Sequence, residues 1–233
     1  MQPIEWQPFG EMAIRIQFGT IVCETTQQLI TQAMAQIEAQ HIPYIQEMIP
    51  AYTSLTVIYD AVHLLTNGEM NPAKAMIAQL KACVSIDEGA FIRDEKIIDI
   101  PVCYGGAYGP DLDEVAAYHH LTPEEIITRH STPHYLIYML GFAPGFPYLG
   151  GLDDTIATPR KKSPRLKIEA GSVGIAGSQT GIYPIETPGG WQIIGRTPLQ
   201  LFQPEKTPPT LLEAGAKIRF VPISAAEFEE LSI

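Results

Sequence analysis

The sequence lacks most of the marks by which an activity is read directly. It has no GxxxxGK[ST], and therefore no P-loop for nucleotide phosphates. It has no GxSxG elbow for an α/β-hydrolase serine, and no HExxH or CxxC for zinc. His130 and His134 are four apart, but Thr132-Pro133 breaks any helix that would align them, so no metal site is expected. GSVGIAG spaces glycines 171, 174 and 177 as GxxGxxG without the helix that a dinucleotide turn needs. No apolar run approaches the ~20 residues of a membrane helix. MQPIEWQPFGEM has no basic stretch leading into an apolar one, so no signal peptide is expected. Cysteine is scarce: Cys23, Cys83 and Cys103 are odd in number and far apart, which suits reduced thiols in a cytoplasm. Basic residues are scarce too, 15 against 26 acidic ones, and the net charge of −11 disfavours nucleic acid and anionic membranes as partners.

What is present is a globular chain of 233 residues, 45% hydrophobic and 18% charged, with two textures. Residues 1–99 hold nine Gly and Pro together, whereas residues 100–233 hold thirty. That contrast predicts two domains, 1–88 and 89–233, joined within Ser85–Asp94. In the first, Met12, Ile14, Ile16 and Phe18 alternate with polar or small residues as in a half-buried strand. Leu29, Ile30, Ala33, Met34 and Ile37 recur at helical spacing. Strands are expected at Tyr44–Ile49 and Leu55–Tyr59, then a helix capped by Asn71 with Pro72 at its first position. A further strand within Lys96–Val102 completes βαββαβ, the ferredoxin-like order of an α+β domain. In the second domain, helices are expected from Asp111 and from Thr122, the latter with Glu125 completing a capping box. YLIYMLGF, SVGIAG, GIYPIE, WQIIG, LQLF and AKIRFVPI read as strands of a barrel or sandwich.

Chemistry concentrates between Tyr135 and Pro198. GFAPGFPYLGG is a shaped loop whose Phe142, Phe146 and Tyr148 either line a pocket or plug a barrel end. PRKKSPRLK follows, with Arg160, Lys161, Lys162, Arg165 and Lys167 within eight positions. In so acidic a chain it is an anion site, gripped best by arginine, a solvated loop, or a patch that docks an acidic partner. Gln179, Thr180, Tyr183, Trp191 and Arg196 add polar and aromatic groups on β scaffolding. His130 is either a proton carrier or a structural residue at a helix end.

HSTPHYLIYMLGFAPGFPYLGGLD, ATPRKKSPR, AGSVGIAGSQTGIYP and ETPGGWQIIGRTP, in that order, resemble the signature blocks of the family of 5-oxoprolinase B subunits. That family also holds the sporulation kinase inhibitor KipI and has been labelled allophanate hydrolase subunit 1. FGEMAIRIQFG and MIPAYTSLTVIYD extend the likeness more loosely into the first half. The resemblance implies an N-terminal α+β domain and a C-terminal cyclophilin-like β-barrel. It implies direct pairing with the C subunit of 5-oxoprolinase. Together with the A subunit, that pair would carry out the ATP-dependent opening of 5-oxoproline (pyroglutamate) to L-glutamate, this chain being inactive alone. The same domain pair is similar to the carboxyltransferase portion of urea carboxylases. The KipI likeness implies instead the binding of a sensor histidine kinase. Under the enzyme reading His130, Arg160 and Arg196 are the candidate catalytic residues, and Phe142, Phe146, Lys161, Arg165, Gln179, Tyr183 and Trp191 the substrate-binding ones. ATP is expected to be used by the complex. Glu169 departs from the family's more usual proline and places a negative charge beside the basic run.

Overall fold

The computed structural model describes residues 3–85 and 97–232. The chain divides into two compact units, Met1–Asp94 and Glu95–Ile233. The expected boundary between residues 88 and 89 falls within 86–96, outside the described residues.

In the first unit, period-two and helical apolar patterns become a sheet with helices on one face. The elements are β1 (Glu5–Pro8), β2 (Ala13–Gln17), α1 (Glu24–Glu38), β3 (Ile45–Pro50), β4 (Ser54–Tyr59), α2 (Ala61–Thr66) and α3 (Pro72–Cys83). The sheet runs β1-β2-β4-β3 with every pair antiparallel. Ile14 and Ile16 of β2 and Leu55, Val57 and Tyr59 of β4 bury against Leu29, Ile30, Ala33 and Ile37 of α1 and Met76 and Leu80 of α3. Asn71 caps α3 by accepting the Lys74 N–H at 3.0 Å, with Pro72 at the first helical position.

The sheet is ferredoxin-like, but one strand differs from the expected order. The strand expected within Lys96–Val102 does not return to this sheet; its described part, from residue 97, belongs to β5 (Ile97–Tyr104), which pairs in parallel with the last strand of the second unit. Its edge place beside β2 is taken by β1. The sequence hides β1 because EWQP offers only Trp6 to the core, and an edge strand needs no second apolar residue.

The second unit adds α4 (Leu112–His119), α5 (Pro123–Ser131), β6 (Tyr135–Leu140), β7 (Pro147–Gly150), the 3₁₀ turn η1 (Asp154–Ile156), β8 (Arg165–Ile168), β9 (Ser172–Ala176), β10 (Gln179–Ile182), β11 (Thr187–Gly189), β12 (Gln192–Arg196), β13 (Lys217–Ile223) and α6 (Ala225–Leu231). Seven strands close a barrel in the order β10-β7-β6-β13-β5-β12-β9, and β8 with β11 forms a separate two-stranded ribbon. The barrel is filled by Ile100, Val102, Tyr135, Ile137, Val173, Ile175, Ile182, Ile194, Ile218 and Phe220. α5 starts with the capping box expected at Thr122 and Glu125. LQLF is not a strand; only Phe202 forms an isolated bridge, with Thr210, because Pro198 and Pro204 bound the segment and cannot donate to a ladder.

Candidate functional site

The hairpin between β6 and β7 positions the aromatic candidates. Gly141 N–H donates to Phe146 O at 3.0 Å, and Phe146 N–H to Ala143 O at 3.0 Å, closing the loop on itself. Phe146 stands edge-on to four rings: Phe142 at 5.5 Å, Tyr148 at 5.2 Å, Tyr183 at 5.6 Å and Trp191 at 5.6 Å between centroids. Such contacts add about 0.5–1.5 kcal/mol each beyond area burial. With Ile168, Ala176 and Ile193 they make a filled cluster in which Phe146, Tyr183 and Trp191 are buried. Phe146, Tyr183 and Trp191 are therefore packed in a core of their own, distinct from the barrel's, and of the four aromatic candidates only Phe142 is open to a ligand. Phe142 is 69% exposed. Its φ of +64° lies in the left-handed region, which costs a bulky residue roughly 1–2 kcal/mol.

The basic run does not form one open cationic patch. Lys161 Nζ donates to Asp111 Oδ1 at 2.8 Å and Glu114 Oε2 at 2.9 Å, and Arg165 Nη2 donates to Asp111 Oδ1 at 2.6 Å. Lys167 pairs with Glu186 at 2.7 Å. Arg196 pairs with Glu169, and its Nε donates to Ala170 O at 3.0 Å. That leaves Arg160 and Lys162 exposed and without an ion pair among the described residues. Arg160 lies near enough to Tyr183 to act on its phenol: burial pushes that hydroxyl up to about 12, against the pull of Arg160. Gln179 opens β10, half-buried and opposite Ala176.

His130 is placed differently from a surface proton carrier. It is fully buried in the barrel, stacked on Phe220 at 4.5 Å. Its Nδ1 lies 2.8 Å from Tyr104 Oη and its Nε2 2.8 Å from Thr180 Oγ1. Thr180 spends its one proton on Gly174 O at 3.0 Å. It can therefore only accept from Nε2, and Tyr104 donates to Nδ1; the tautomer is assigned from this network. Burial pushes His130 down to about 3, so at neutral pH it is uncharged and shut away from substrate. The structural alternative holds, and His130 leaves the list of acid–base candidates.

The residue that sequence reasoning missed is Asp111. It precedes α4 at the N-cap position, yet its side chain makes no cap bond. Instead Oδ1 takes both Lys161 and Arg165, and Oδ2 accepts the Ile193 N–H at 2.7 Å. Burial alone would raise this carboxyl, but the hydrogen bonds from Arg165, Lys161 and Ile193 outweigh it and hold Asp111 below the usual carboxylate range. Gly109 makes the approach possible, because a Cβ there would meet the carbonyl of Ile194. The sequence showed the helix start at Asp111, but nothing local marks a carboxylate turned toward partners 50 and 54 residues away.

For a nucleotide triphosphate the arrangement is a poor fit. Three of the five cations in the run are already neutralised, and the glycine-rich turn 105–109, which leads from β5 into α4 beside the run, ends on the Asp111 carboxylate, which repels phosphate. No helix among the described residues is long and apolar enough to cross a membrane.

Residues 4–212 match the family model of the carboxyltransferase domain, subdomain C and D. The chain is 48% identical over 225 residues to the B subunit of 5-oxoprolinase from Bacillus subtilis (strain 168), covering 95% of this chain and 94% of that one. It is 41% identical over 222 residues to the corresponding 5-oxoprolinase B subunit of Escherichia coli O157:H7, covering 95% and 97%. Among solved structures, TTHA0988 superposes with a TM-score of 0.78 at 31% identity. That match takes in 91% of this chain but only 40% of TTHA0988. With the fold, the four sequence blocks and near full-length identity in agreement, the chain belongs to the carboxyltransferase subdomain C and D family, in its branch of 5-oxoprolinase B subunits.

Proposed function

We propose that this chain is the B subunit of an ATP-dependent 5-oxoprolinase, opening 5-oxoproline to L-glutamate together with the A and C subunits. The observation that carries the reading is identity of 48% and 41% over almost the full length of two proteins bearing that name. The geometry agrees with a supporting role in such a site. 5-Oxoproline is a small lactam with a carboxylate, and the second unit offers two unpaired cations, Arg160 and Lys162, together with an exposed aromatic, Phe142. An arginine suits a carboxylate through two parallel hydrogen bonds. His130 is committed to Tyr104 and Thr180, and Thr158, which lies 3.0 Å from His119 and near Arg160 in the chain, spends its proton on Ile156 O at 2.9 Å, so neither pair offers an activated nucleophile. We therefore assign ATP binding and bond cleavage to the assembled complex, with ATP held elsewhere in it and this chain inactive alone.

The test is the release of glutamate from 5-oxoproline by this chain co-purified with its A and C subunits, with and without ATP. ATP-dependent release supports the proposal. A stable complex that turns over a different lactam or amide would shift the substrate. Failure to bind the C subunit, with stable binding to a sensor histidine kinase instead, would make the chain a KipI-type inhibitor.

A further inference from the structure

Residues 159–165 are fastened to the barrel at several points. Gln192, buried on β12, donates its Nε2 to Pro159 O at 3.0 Å and offers its Oε1 to Lys161 Nζ at 3.4 Å. The Lys161 backbone N–H donates to Gly190 O at 2.7 Å. Asp111 then draws in the Lys161 and Arg165 side chains on a single oxygen while its other oxygen holds the backbone of β12. With Lys161 drawn inward, Arg160 and Lys162 on either side of it remain exposed.

Asp111 is an unusual choice if its purpose were only to start α4. An aspartate at an N-cap ordinarily accepts an N–H of the first turn, and this one forgoes that bond to hold two cations half-buried on the barrel wall. Each cation also loses freedom: Lys161 is tied to Asp111 and Glu114, which raises its amine above the usual lysine range. Such ordering of a loop in the unliganded chain is how a site avoids ordering it again when ligand binds.

We infer that Asp111 is a positioning residue of the proposed site: with Gln192, it turns Lys161 and Arg165 inward so that Arg160 and Lys162 present a fixed pair of cations to the substrate's carboxylate. The inference rests on the proposed function, and it names a chemical class for the site's ligand, a small carboxylic acid. It also assigns different work to residues of one run. Arg160 and Lys162 meet the anion, while Lys161 and Arg165 are struts.

Two measurements on Asp111→Asn test it, with Gln192→Ala as a second variant that leaves the buried ion cluster whole. The first is trypsin cleavage of the full chain after Arg160 and Lys162. A loop set free by either variant is cut at least tenfold faster in Asp111→Asn and severalfold faster in Gln192→Ala, with cleavage elsewhere unchanged. The second is steady-state turnover by the complex with the A and C subunits. The Michaelis constant for 5-oxoproline is expected to rise fivefold or more in both variants, with kcat within twofold and the Michaelis constant for ATP unchanged. Unchanged cleavage in both variants overturns the tether. Faster cleavage with an unchanged Michaelis constant for 5-oxoproline overturns the positioning role. If the wild-type complex has no turnover, the proposed function fails, and the cleavage rates still decide whether Asp111 holds the loop.

Discussion

At the residue scale, the candidate site separates cations that are free from cations that are occupied. Arg160→Gln and Lys162→Gln remove exposed charges with no ion-pair partner among the described residues, so each should leave the thermal midpoint within about 1 °C, as surface changes do. In the assembled complex each should raise the Michaelis constant for 5-oxoproline, and their combination more than either. Arg196→Ala should behave differently. It removes the pair with Glu169, the bond to Ala170 O and the packing of the guanidinium over Phe228 at 6.0 Å, so its effect should appear in the melting curve, by roughly 1 kcal/mol. Equal stability losses in all three variants would remove the distinction. Phe142 allows a second test. A glycine accepts its φ of +64° without strain. The relief offsets the lost edge contact with Phe146, so Phe142→Gly should melt close to the wild type while the Michaelis constant rises at least threefold; a clearly lower midpoint with unchanged kinetics would make the ring structural.

At the scale of elements, the barrel is pinned internally by a chain of hydrogen bonds that joins β5, α5 and β10 through Tyr104, His130 and Thr180. His130→Leu leaves two buried hydroxyls without this partner and should destabilise by about 2–4 kcal/mol. The same group sets a pH dependence. In the unfolded chain His130 titrates near the ordinary 6.5, but in the fold it stays neutral down to about 3. The unfolded state therefore binds the extra proton across that window, and stability falls as pH drops from 6.5 toward 3, by roughly 1 kcal/mol per pH unit from this residue. Urea midpoints between pH 7 and pH 4.5 check it: the fall should be smaller in His130→Leu than in the wild type. α5 itself rests on its capping box, and Thr122→Ala should cost about 1 kcal/mol. These elements also show what a sequence can reveal. α1, α3, α5 and the strands with clear alternation could be read, because caps and apolar periods are local properties. β5 could be recognised as a strand but not assigned to its sheet. Its parallel partner β13 lies 120 residues away, at Lys217–Ile223, and nothing local distinguishes that pairing from a place beside β2.

At the scale of the whole molecule, each unit has apolar cores of its own, one cluster in the first and two in the second. The site was legible only as a region. The sequence located the aromatic loop and the basic run, yet could not show that Phe146, Tyr183 and Trp191 close on one another or that Asp111 holds both Lys161 and Arg165. Both facts depend on contacts between residues far apart in the chain, and the apparent surplus of positive charge shrinks to Arg160 and Lys162 once Asp111, Glu114 and Glu186 are placed. What remains exposed suits a protein that supplies part of a shared site. Omission and add-back of this chain in the ATP-dependent conversion of 5-oxoproline to glutamate by the A and C subunits is the most direct test. Glutamate release should vanish without this chain and return in proportion to the amount added back, reaching a plateau at a fixed ratio to the C subunit. Release that continues at the full rate in its absence would contradict the assignment.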